Sequence, residues 1–188
     1  MKKHNVVRFG YVAVTVFVGT LLFFACKNPT GVDVDNENSL TVGGQTYGLS
    51  QLYLEDWGWW SGGGYNTDIY LFSSNIDPEE EDFRDGTAAG ATAGGVYLEM
   101  FFSDSSVSSG TYSLSSSRDA GTFSGSSFVG TAVNDGSGYY TEYYVQGGQV
   151  GISVNGSTYT INGDVTVNIG GNSQQATFNY TGSVTGRW

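Results

Sequence analysis

The chain is 188 residues long, with 29 Gly, 13 Tyr, 11 Phe and 4 Trp but only 2 Pro, 1 Cys and 1 His. With 39% hydrophobic and 13% charged residues it has room for one folded domain, and without a Gly-X-Y period the glycines do not signal collagen. The lone Cys26 excludes an internal disulfide framework and a Cys-based zinc cluster, and the lone His4 lies in a stretch with the character of a cleaved leader, which leaves no Ser-His-Asp triad or imidazole metal site behind it.

Lys2, Lys3 and Arg8 precede an uncharged apolar run from Phe9 to Ala25, the basic and apolar parts of a secretory signal. The run also reaches the lower edge of a membrane-spanning helix, so a retained anchor is the alternative. The segment Leu22-Phe23-Phe24-Ala25-Cys26, followed by a polar stretch with Pro29, Gly31 and Asp33, resembles the lipobox of bacterial lipoproteins. That resemblance implies a signal peptide over 1–25, cleavage before Cys26, acylation of the Cys26 thiol and amine, and, with Lys27 next in the chain, sorting to the outer membrane. Losing residues 1–25 leaves Lys27, Arg84, Arg118 and Arg187 against all 18 acidic residues, a net charge of −14. So acidic a body, with no basic stripe, is repelled by nucleic acid and by anionic lipid, and membrane attachment falls to the lipid on Cys26.

The stretch over 27–38, KNPTGVDVDNEN, has too little apolar surface to bury a face and is expected to be an acidic tether. Asp33, Asp35 and Glu37 alternate, but no glycine follows where a calcium loop needs its sharp turn. The single domain then runs over 39–188 with a hydrophobic period of two and no helical stripe. Its predicted strands are Leu40–Val42 and Tyr47–Leu54 around a Gly43-Gly44 turn, then Tyr65–Ser73, Gly95–Ser103, Gly110–Leu114, Thr122–Val133 and Tyr139–Gln146. A final meander follows: Gln149–Val154, an Asn155-Gly156 hairpin turn, a run with Tyr159, Ile161, Gly163, Val165, Val167 and Ile169 on one face, and after Gly170-Gly171 a run with Ala176, Phe178 and Tyr180 on one face. Val150, Ile152, Tyr159, Ile161, Val165, Val167, Phe178 and Tyr180 are the expected core.

About ten strands in up-and-down order predict an all-β antiparallel meander closed into a barrel, with a two-sheet β-sandwich as the alternative. A lipobox followed by such a meander resembles the lipocalin-like and β-sandwich lipoproteins that many bacteria export. The last residues, alternating from Phe178 to Trp188, also resemble the closing strand of outer-membrane barrels, which keeps an integral barrel as a rival. Between strands, the acidic stretch over 77–85 reads as a solvated loop, with calcium binding as its alternative.

Two places carry candidate chemistry. The strand around Val96–Phe102 sets Tyr97, Glu99 and Phe101 on its second face, and the strand from Tyr139 sets Tyr140, Glu142 and Tyr144 there. An aromatic-flanked carboxylate suits a sugar, with flat faces for pyranose C–H groups and an acceptor for hydroxyls; the plainer alternative is a strand covered on both sides. Near Glu55 and Asp56, Trp57, Trp59 and Trp60 stand before Ser61-Gly62-Gly63-Gly64, where they either plug one barrel end or stack on a ligand at its mouth. The expectation is therefore a non-catalytic binding module for a glycan or another small polar ligand, without cofactor or metal. Its rivals are a structural or assembly component of the envelope, an integral barrel, and a glycosidase using Glu99 with Glu142 as a carboxylate pair.

Overall fold

The computed structural model describes residues 38–73, 93–132 and 140–188. Cys26, the signal segment, the tether up to residue 37 and the acidic stretch over 77–85 lie outside them. The described residues form β1 (Ser39–Val42), β2 (Gln45–Gly48), β3 (Gln51–Trp59), β4 (Tyr65–Phe72), β5 (Gly94–Phe102) and β6 (Gly110–Leu114). There follow β7 (Thr122–Phe123), β8 (Phe128–Ala132), β9 (Tyr140–Asn155), β10 (Thr158–Ile169), β11 (Asn172–Ser183) and β12 (Gly186–Arg187), with no helix. The protein is all-β and barrel-like.

All strands belong to one sheet, so the two-sheet alternative is not what forms. β5, β7, β6, β9 and β8 make a closed circuit of pairings: β8 lies between β5 and β9 at one end, and where those two diverge β6 and β7 fill the fork. From this ring the sheet extends through β4 and β3 on one side and through β10, β11, β1 and β2 on the other. The flanks then meet within the 45–59 segment, which leaves β1 after Gly48 and joins β4 at Gln51. At the crossover Leu49 N donates to the Asn38 carbonyl at 2.9 Å and Ser50 N to the Phe72 carbonyl at 2.7 Å, so each residue continues a different ladder. Pairing is antiparallel except for the short β6–β7 and β3–β12 contacts.

Inside the sheet one apolar cluster draws on both flanks, from Leu40, Leu52 and Ile69 to Val150, Ile161, Val165, Phe178 and Tyr180. Of the expected core only Tyr159 is partly exposed, and it packs against the cluster. Gly163 faces inward opposite Phe178, and a Cβ there would run into the Phe178 ring; the glycine makes room for an aromatic side chain. The stretches expected as separate strands around Gly147-Gly148 form one strand, β9, with an irregularity at which Gly148 takes φ 109°. The 155–158 turn has Gly156 and Ser157 as its central residues, with φ 61° at Gly156, as a type II′ turn requires, and Asn155 ends the strand. The final residues do not extend β11: they turn away to pair in parallel with β3, which departs from the closing-strand pattern that favoured an integral barrel.

Candidate functional site

The outer faces of β3, β4 and β5 are built from rows of directly opposed residues. One row is Tyr53, Tyr70 and Tyr97; the next is Glu55, Asp68 and Glu99; and the last includes Gly58, Asn66 and Phe101. Alternation alone makes one whole row of this face carboxylates. The ladder between β3 and β4 is interrupted between Asp56 and Gly58, so Trp57 is the extra residue of a bulge, and Gly58 takes φ 90°. A bulge re-aims its side chain, and the Trp57 indole reaches across to β4, where Nε1 donates to Asp68 Oδ2 at 3.0 Å.

Asp68 is the centre of the resulting network. Tyr97 Oη donates to Oδ2 at 2.9 Å, and Asn66 Nδ2 donates to Oδ1 at 3.0 Å and to the Met100 carbonyl at 3.2 Å. Burial pushes the Asp68 carboxyl up to about 6; repulsion from Glu99 and Glu55 adds to this, and the Tyr97 and Asn66 hydrogen bonds oppose it. Next in the row, Glu99 accepts from Ser124 Oγ and lies 3.6 Å from the Arg118 guanidinium. Its backbone N–H donates to Ser127 Oγ at 3.0 Å, which fixes the 124–127 turn beside the carboxylate.

Arg118 reaches this face from the loop after β6. Its carbonyl accepts from Gly64 N at 2.9 Å, and its guanidinium lies 4.0 Å from the centre of the Trp60 ring. A Cβ on Gly63 would collide with the Arg118 carbonyl and one on Gly64 with the Phe102 carbonyl, so these glycines let the two loops touch. Between them opens a groove of about 340 Å³, walled by Trp57, Trp59 and Trp60, floored by Asn66, Asp68, Tyr97 and Glu99, and bordered by Arg118. The tryptophans do not plug the barrel: Trp57, Trp59 and Trp60 are 65%, 64% and 44% exposed. Trp59 meets Tyr65 edge to face and Trp60 meets Phe101 in the same way.

The expected site residues therefore divide. Trp57, Trp59, Trp60, Tyr97 and Glu99 share the groove. Glu55 lies in the carboxylate row but is held away from the groove by Tyr70, whose hydroxyl donates to Oε2 at 2.7 Å; burial first, and then Glu55, drive the Tyr70 phenol far above its usual range. Asp56 points to the opposite face, where it accepts from Thr67 Oγ1 at 2.8 Å and pairs with Arg187 at 3.0 Å.

Glu142 and Tyr144 lie on β9 beyond β8, with Tyr144 Oη donating to Glu142 Oε2 at 2.7 Å. Register sets Glu142 against Gly130 and Gly95, two strands and two rows from Glu99. That is roughly 16 Å in sheet spacings, too far for Glu99 and Glu142 to flank one glycosidic bond as the rival glycosidase reading requires. Tyr140 begins β9, and its side chain lies outside the described structure.

Sequence reasoning missed Asp68, Asn66 and Arg118. The signal for Asp68 was present: Asn66, Asp68, Tyr70 and Phe72 alternate on one face with the same carboxylate-beside-aromatic pattern that marked Glu99. Arg118 carries no periodic signal, because a loop delivers it. Among the described residues no group of three His, Cys, Asp or Glu is arranged to hold a metal ion. No family model, curated protein or solved structure matches this chain.

Proposed function

We propose that this domain is a non-catalytic glycan-binding module, carried on an outer-membrane lipoprotein anchored through Cys26. The observation that carries the reading is the groove, in which three exposed tryptophans stand around the carboxylates of Asp68 and Glu99 with Tyr97 and Asn66 beside them. Indole faces exposed to water cost solvation free energy without a partner. Sugar rings offer the complementary surface, an apolar C–H face to stack and hydroxyls to donate to carboxylates.

Binding is favoured over hydrolysis because each groove carboxylate is already engaged. Asp68 accepts three neutral hydrogen bonds, and Glu99 is shared between Ser124 and Arg118. A glycosidase needs one carboxyl free to donate a proton and another free to attack or to activate water. An integral barrel is disfavoured by the distribution of polarity: β10 and β11 turn Thr160, Asn162, Thr166, Thr177, Asn179 and Thr181 outward and keep the apolar residues inside, the reverse of a lipid-facing wall.

Titration of tryptophan fluorescence against a polysaccharide panel tests the module. At least one glycan should shift the emission, and a Trp57, Trp59, Trp60 triple alanine variant should abolish the shift; a panel without any response removes the reading. The anchor is tested separately by labelling cells with radioactive fatty acid. Incorporation should be lost in Cys26→Ala, and a Cys26→Ala protein that stays membrane-bound at full length points to a retained helix instead.

A further inference from the structure

Arg118 is held in the groove at a conformational cost. Among the described residues it is the only non-glycine with a positive φ, 58°, a region disfavoured by its Cβ. The contact with Gly64 and the close approach of Gly63 maintain it there. The result is a guanidinium 4.0 Å over Trp60 and 3.6 Å from Glu99, which is cation recognition by an aromatic face and a carboxylate, carried out with the protein's own side chain.

The groove holds more of both groups than Arg118 uses. Trp57 and Trp59 supply two further exposed indoles, and Asp68 receives only neutral donors. Glu55, Asp68 and Glu99 also stand directly opposite one another on three adjacent strands, a like-charge row that works against the sheet. Arg118 offsets one of those charges, and a cation on the ligand would offset a second.

We infer that the sugar this groove takes is cationic: an amino-sugar residue whose ring face stacks on Trp57 or Trp59 and whose ammonium sits against Asp68 and Glu99. The inference rests on the glycan-binding reading and narrows it. Uronic acids are excluded by the same charges, and neutral sugars gain only the stacking and hydroxyl contacts.

Calorimetry on the purified protein, with three β-1,4-linked tetramers of matched length, tests this. The probes are N,N,N-trimethylglucosamine, whose charge does not titrate, N-acetylglucosamine and glucuronate. The cationic tetramer should bind about tenfold more tightly than the acetylated one, and the glucuronate should give no binding heat. Glu99→Gln should lower the cationic-to-neutral ratio, whereas Arg118→Gln should raise it by freeing the Trp60 face and Glu99 for the ligand. Opposite signs from two substitutions in one groove do not arise from general damage to the fold. An acetylated tetramer that binds as tightly as the cationic one, or a ratio that neither substitution moves, overturns the cationic inference and leaves the glycan reading standing. Tetramethylammonium binding as tightly as the cationic tetramer overturns both, because the sugar ring then contributes nothing, and so does the absence of binding by all three tetramers.

Discussion

The two flanks of the barrel share one core but use their outer faces differently. Along β10 and β11 the outward positions are short and polar, Thr160 beside Thr181 and Asn162 beside Asn179, and every second residue faces solvent. Along β4 and β5 nearly every position is buried, and the outer face holds tyrosines, carboxylates and the groove. The comparison teaches that a strand buried on both faces carries its apolar residues inward for the fold, and that the chemistry of its other face then needs an explanation of its own.

The largest effects should come from inward residues on either flank. Ile161→Ala should lower unfolding free energy by about 2–5 kcal/mol in urea titrations, whereas Thr160→Ala on the same strand, which loses the hydroxyl contact with Thr181, should cost no more than about 1 kcal/mol. On β5 this distinction between faces should disappear. Tyr97 is buried on the outer face between Tyr70 and Phe128, with its hydroxyl on Asp68, and Tyr97→Ala should cost roughly 3–5 kcal/mol. A loss at Tyr97 as small as that at Thr160 would remove the contrast between the flanks.

Asp68 sharpens the comparison through pH. Its carboxyl titrates at about 6 in the folded protein against 3.8 for the ordinary side chain. Between those values the folded chain holds a proton that the unfolded chain has released. The contribution of Asp68 to stability is therefore greatest below about pH 4 and is lost as pH rises through 6, by an amount on the order of 3 kcal/mol. Asp68→Asn should remove this dependence, so the variant should gain on the parent between about pH 4 and pH 7. A constant difference across that range would mean that Asp68 is solvated as freely as an exposed carboxylate.

Smaller effects should separate function from fold. Trp59→Ala, at an exposed position, should change stability by less than about 1 kcal/mol while weakening glycan binding at least tenfold. Arg187→Ala breaks an exposed pair with Asp56 and should cost no more than about 1 kcal/mol, with the loss shrinking as salt is added.

The difference between the flanks also explains which parts were legible in the sequence. In β10 and β11 the period of two is unbroken, because one face meets the core and the other meets water, and the observed span Thr158–Ile169 coincides with the alternating run. The 122–133 run misled because a single stretch of strand-forming residues is divided by the 124–127 turn, where Ser124 and Ser127 bond back to Glu99. Three tryptophans and Glu99 could be singled out from composition and local pattern, but their meeting with Asp68 depends on the register of β3, β4 and β5, and the bulge at Trp57 depends on tertiary pairing. Glu142 resembled Glu99 because each has an aromatic residue two positions away on either side along its own strand. The insertion of β8 between those strands and a register offset of two rows separate them.

The crossover at Leu49–Ser50 has a consequence for how the chain acquires its shape. The two flanks are joined by β1 lying against β11, so Ser39 N meets the Asn179 side chain across 140 residues of sequence. β1 finds one neighbour locally in β2, but its second, β11, exists only after nearly the whole described chain has been made. Folding governed by such distant pairings is slow compared with folding through local contacts. A chain emerging from its N-terminal end would therefore hold β1 and β2 as a hairpin whose outer edge stays unpaired until β11 appears.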